Sequence, residues 1–133
     1  MQMRLVAVLE NGATRSPFVP PVARYSLEVT LGADATIVLD VVDAAGVPVK
    51  LAGATVRLAV KQRTADASPT IAKTGVLKPA TAPNRVEFTL APADTKNLTP
   101  GRYLWDVWLT QSGKRDCIVQ LSLFLLHPAI GLP

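Results

Sequence analysis

The chain has 133 residues, 49% hydrophobic and 18% charged, with a formal net charge of +4. A chain of this length makes one domain that buries about two-thirds of its unfolded surface, so disorder by composition is excluded. One cysteine, Cys117, and one histidine, His127, exclude an intrachain disulfide and a multi-cysteine metal cluster.

Residues 1–24 form a segment of their own. Residues 4–9 are apolar on both faces, and residues 11–21 carry Gly12, Pro17, Pro20 and Pro21. Such a stretch is extended and non-helical. A strand apolar on both faces needs two covers. Either it folds back as an extra edge strand on its own sandwich, or it is an arm that adds to a neighbour's sheet. The N-terminal apolar run spans five residues and ends at Glu10, short of the ~7–15 of a secretory h-region. No export signal is therefore expected. No apolar run approaches the ~20 residues of a membrane-spanning helix.

From Tyr25 onward the apolar period is two. Tyr25, Leu27, Val29 and Leu31 alternate with polar residues, which sends one set inward and the other into water. Residues 35–42 are β-branched and apolar on both sides, as suits a central strand. The same alternation recurs in Ala54, Val56, Leu58 and Val60, and again in Val86, Phe88 and Leu90. Residues 71–78 are weaker, broken by Gly75, and read as a short edge strand. Tyr103, Trp105, Val107 and Leu109 form an inward set, as do Cys117, Val119, Leu121, Leu123 and Leu125. Seven strands result, separated by turn signals at residues 32–34, 43–46, 67–69, 82–84 and 112–113. Short strands so spaced predict an all-β antiparallel sandwich across residues 25–126. Residues 91–98 are the one helical candidate, with Asp94 as a cap and Pro100-Gly101 as the stop.

If the last two strands both face inward with odd residues, paired numbers must sum to an even number. This predicts a three-residue loop, Gln111-Ser112-Gly113, with Gly113 left-handed. Val107 then opposes Cys117, and Trp105 opposes Val119. Trp108 points outward and shares that outer face with Leu104, Ile118 and Phe124. The segment 127–133 is a short apolar tail that includes Pro128, Ile130 and Leu132.

Reactive groups are scarce. Cys117 reads as a small core hydrophobe, and His127 sits beside Pro128 in the tail. There is no phosphate loop, His-x-x-x-His pair or calcium loop, and Asp40 and Asp43 have no acidic neighbours. No catalytic, cofactor-binding or metal-binding residues are expected, and the chain is read as a non-enzyme. Its basic residues are scattered, without the stripe of a nucleic-acid binder.

The string Leu98-Thr-Pro-Gly-Arg-Tyr103 places a tyrosine where immunoglobulin-like sandwiches carry one that bonds back across a corner. Tyr103 is assigned that structural role. More broadly, the Asp43-x-x-Gly46 turn and the following Pro48-Val-x-Leu51-x-Gly53-Ala-Thr-Val56 resemble a tailed-phage domain family. So do Val86-x-Phe88-x-Leu90 and Leu98-x-Pro-Gly-x-Tyr-x-x-Asp-Val107. The family is similar to the N-terminal domain of phage baseplate upper proteins. The resemblance implies an immunoglobulin-like fold and a virion structural protein, either a baseplate or tail adaptor or a capsid decoration (cement) protein. It implies partners among other virion proteins, major capsid or tail subunits, and copies of itself. The expected contacts are Arg4, Val6, Val8 and Phe18 in the N-terminal segment, Leu104, Trp108, Ile118 and Phe124 on the sheet, and Pro128, Ile130 and Leu132 in the tail. The alternative is a carbohydrate- or host-surface-binding module that uses Trp108.

Overall fold

The computed structural model describes residues 2–9, 26–43, 45–63, 66–78 and 80–128. Nine strands and one helical turn follow in chain order: β1 (Gln2–Leu9), β2 (Leu27–Thr30), β3 (Ala35–Asp43), β4 (Thr55–Lys61), β5 (Ile71–Thr74), β6 (Val76–Lys78), β7 (Ala82–Leu90), α1 (Pro92–Thr95), β8 (Gly101–Gln111) and β9 (Lys114–His127). They build a four-stranded sheet ordered β1-β3-β7-β6 and a five-stranded sheet ordered β2-β9-β8-β4-β5. The all-β two-sheet sandwich is the architecture that the period-two alternation predicts.

The strand count differs from seven for two reasons. Residues 2–9 form β1 on the chain's own sheet, in register with β3. Ala7 is fully buried, and Met3 and Leu5 pack against the core. Alternation turns Arg4 and Val6 to the other face. The second reason is Gly75. The weak strand divides there into β5, an edge of one sheet, and β6, an edge of the other. The sandwich is also not wholly antiparallel. β1 runs parallel to β3, and β2 runs parallel to β9. Both are edge strands joined to their partners by crossovers rather than hairpins.

β3 lies between β1 and β7, so its residues are covered on both sides. Ile37, Leu39 and Val41 face the core, and Val38 on the opposite face is also buried. Val56, Leu58, Val60, Val86, Phe88, Leu90, Trp105, Val107 and Leu109 supply most of the remaining core. The Asp43 turn closes through its own side chain. Asp43 Oδ1 accepts the amides of Ala45 and Val47, both at 2.9 Å, and Gly46 takes φ 84°. Only glycine adopts that backbone without strain. In α1, Asp94 sits in the first turn rather than at the cap, and its carboxylate accepts the Ala91 amide at 2.7 Å.

The β8–β9 hairpin corrects the parity argument. The loop has two residues, with Gln111 opposite Lys114. Ser112 and Gly113 take φ 53° and 77°, the pair of left-handed residues that a tight primed turn needs. Leu109 therefore opposes Asp116, and Trp108 opposes Cys117. Two register shifts then bring Val107 opposite Val119 and Trp105 opposite Ser122. As a result Ile118, Val119, Phe124 and Leu126 are buried, whereas Cys117, Leu123 and Leu125 are half-buried on the outer face. Ile118 and Phe124 are thus core residues, not surface contacts, and Cys117 is not a core residue. The shorter loop reverses the expected faces at Asp116 and Cys117, the first register shift returns Val119 to the inward side, and the second turns Ser122, Phe124 and Leu126 inward.

Candidate functional site

The corner assigned to Tyr103 is formed. Its hydroxyl donates to the Thr99 carbonyl at 2.7 Å, and its ring meets Phe124 edge-on, with centroids 6.5 Å apart at 89°. This fixes the start of β8, which carries Leu104 and Trp108 onto the outer face of the five-stranded sheet.

That face reads as cross-strand rows. Thr74, Arg57, Trp108 and Cys117 lie abreast on β5, β4, β8 and β9. The next row holds Ala72, Ala59 and Asp106. Beyond it lie Lys61, Leu104 and Leu123. Leu104, Leu123 and Leu125 make a half-buried apolar strip at this end. At the other end Trp108 donates its indole N–H to Asp106 Oδ2 at 3.2 Å, and the Arg115 guanidinium sits 4.5 Å from the ring centroid. The opposed alanines 59 and 72 leave a dip in the face. A groove of about 280 Å³ opens over them, with Trp108, Arg57, Lys61, Arg115, Thr55 and Thr110 among its lining residues.

Cys117 borders this region but offers no nucleophile. Burial first, and the charge of Asp106 second, push its thiol up to about 11. The thiol donates to the Val119 carbonyl at 3.1 Å.

The outer face of the four-stranded sheet carries a charge lattice instead. Asp40 on β3 accepts Arg4 Nε at 3.0 Å from β1 and Arg85 Nε at 2.9 Å from β7. Lys78 and Glu87 pair at 2.6 Å. Burial alone would raise the Asp40 carboxyl. The hydrogen bonds from Arg85 and Arg4, with their charges, outweigh it and hold the carboxyl below its ordinary value. Arg4, expected as an intermolecular contact, is thus engaged within the chain. Among the described residues, no cluster of three His, Cys, Asp or Glu side chains could hold a metal.

Of the other expected contacts, Val6 is 47% exposed, Pro128 is exposed, and Leu104 and Trp108 are half-buried on one face. Phe18, Ile130, Leu132, the Val8 side chain and Tyr25 lie outside the described residues. The residues that sequence reasoning missed are Leu123 and Leu125, hidden by the register, and the cations of the groove. Arg57 and Lys61 stand four apart on one strand face, which was visible. That Arg115 of the next-but-one strand joins them was not.

Fold and surface together define a two-sheet all-β domain whose outer face joins an apolar strip to a cationic groove. No family model matches the chain, and no curated protein does. Among solved structures, the N-terminal domain of phage TP901-1 ORF48 superposes with a TM-score of 0.49 at 10% identity, covering 96% of this chain and 99% of that one.

Proposed function

We propose that this chain is a non-enzymatic structural protein of a tailed-phage virion, a baseplate or tail adaptor or a capsid decoration protein. It acts by burying surface against neighbouring subunits, through its termini and the outer apolar strip. The motifs that carry the family resemblance support this reading, because they occupy the positions the resemblance implies. Asp43 to Gly46 makes a closed turn, and Leu98 to Tyr103 makes the hydrogen-bonded corner.

The observation that carries the contact role is the strip of Leu104, Leu123 and Leu125. These side chains lie on the face turned away from the core, so the fold does not need them for its own interior. Contiguous apolar surface of this kind marks an interaction site, and a stable contact buries about 1,200 Å² or more.

The test is incorporation. The wild-type chain is expected in purified phage particles, where electron microscopy would place it at head or tail. A Leu104→Glu, Leu123→Lys variant, which keeps opposite charges across the ladder, should fold, with a thermal melt close to that of the wild type, yet be missing from particles. Absence of the wild-type chain from purified particles refutes the virion role. Normal incorporation of the folded variant refutes the strip as the contact.

A further inference from the structure

The groove over Ala59 and Ala72 has features that a protein contact through the leucine strip does not use. Arg57, Lys61 and Arg115 all line it, and among the described residues no carboxylate forms an ion pair with any of them. The other described cations divide between paired and unpaired. Arg4, Arg85, Lys73, Lys78 and His127 each have an acidic partner within the chain. Among the described residues Lys50, Arg63, Lys96, Arg102 and Lys114 form no ion pair either, so what sets the groove apart is that three cations line one depression, while Asp106 on the same face bonds to the Trp108 indole.

Arg115 is held against the Trp108 ring, not against an acid. A guanidinium stacked in this way is placed with its N–H fork still available for bidentate capture of a planar or tetrahedral anion. Arg57 lies directly across the ladder from Trp108, so two arginines flank one indole. Lys61, four residues along β4, puts a third positive charge about 13 Å away at strand rise. Between these charges the groove offers the methyl groups of Ala59 and Ala72, with the hydroxyls of Thr55 and Thr110 at one end, cross-paired on β4 and β8.

We propose that this groove binds an anionic saccharide, a sugar unit bearing a carboxylate or a phosphate. A sugar ring has an apolar face for the alanine floor, hydroxyls for the threonines, and a fixed anion for the arginine pair. The groove, about 280 Å³, is near the small end of the ~300–1,000 Å³ usual for ligand pockets, as suits one such unit. A nucleic acid strand fits it less well. Single-strand binders present open aromatic faces along a basic track, whereas here Arg115 already covers the one indole. An acidic peptide would more readily add to a sheet edge than lie in a dip on its face.

Isothermal titration of the full chain tests the proposal. The probes are galacturonate, oligogalacturonate, glucose 6-phosphate and phosphomannan, with neutral dextran, polyglutamate and duplex DNA as controls. At least one sugar-anion probe should bind, more weakly at high salt, while dextran does not. Binding by monomers as well as polymers would point to a free sugar acid or phosphate. Binding by polymers alone would point to a surface polysaccharide. Arg57→Gln with Arg115→Gln should lose about tenfold or more in affinity, as two charge-assisted donors are removed, with the melting temperature unchanged. The proposal is overturned by no saccharide binding at millimolar concentration, by equal affinity in the folded double variant, or by equal binding of polyglutamate or DNA. These outcomes are separate from those for the leucine strip, because the double variant should still enter particles.

Discussion

Gly75 is the point at which one continuous run of sequence leaves the five-stranded sheet and enters the four-stranded one, and replacing it with alanine perturbs that crossing. A Cβ built there overlaps Val86 Cγ2 and comes within 3.1 Å and 3.2 Å of two Phe88 ring carbons. Val86 is fully buried and Phe88 nearly so, at 0% and 1% exposure, so neither can swing into solvent. The backbone has no simple way to retreat either, since the Gly75 amide donates to the Val56 carbonyl at 2.7 Å. Overpacking of this kind costs about 1–3 kcal/mol, and an overlap with a side chain so enclosed belongs near the top of that range. Set against it is the reduced freedom of the unfolded chain, worth about 0.4–1 kcal/mol in alanine's favour. The balance is a loss of about 2 kcal/mol, a fall in melting temperature of roughly 6–10 °C. Urea unfolding followed by tryptophan fluorescence measures it directly. Val86→Ala by itself should also destabilise, by roughly 1–3 kcal/mol. The double variant should lose less than the sum, because the new methyl occupies the space the old one vacates. A Gly75→Ala protein as stable as wild type, or strict additivity in this cycle, would refute the close approach.

The hairpin register is open to a paired test. Phe124→Ala should cost about 3–5 kcal/mol as a buried aromatic, whereas Leu125→Ser on the outer face should cost about 1 kcal/mol or less; the reverse order in urea unfolding would restore the odd-inward register. Tyr103→Phe removes the bond to Thr99 while keeping the ring, and should cost about 1 kcal/mol, read as a lower midpoint at unchanged slope. Acid titration reports on the charge lattice. Asp40 and Asp94 both have carboxyls lowered from the ordinary value of 3.8, so the unfolded chain binds their protons more readily than the folded one. Their contribution is complete above that value and is lost as pH falls through the lower folded values. Asp40→Asn should flatten the fall in stability below about pH 4, and an identical acid limb in the variant would show that Asp40 contributes nothing.

The sequence by itself carried the class of fold, because a period of two decides locally which face of a strand is wet. Val86, Phe88 and Leu90 could only be an inward row, and the Tyr103 corner lies within five residues of its partner Thr99. Even the break at Gly75 was visible as a weakness in a strand, though not as a change of sheet. Where residues 4–9 settle was not legible, since apolar faces on both sides satisfy a neighbour as well as the chain itself. The register of β9 was not legible either. It turns on whether a loop closes in two residues or three and on where the ladder then slips, and those choices are settled by how Trp105, Val107 and Phe124 fill one shared interior. The outer surface inherits that decision. Leu123, Leu125 and Arg115 are neighbours of Leu104 and Trp108 only because tertiary packing, which sums contacts from every strand at once, set the two-residue loop and the two register shifts that carry the far half of β9 two residues past the alignment the loop alone would give.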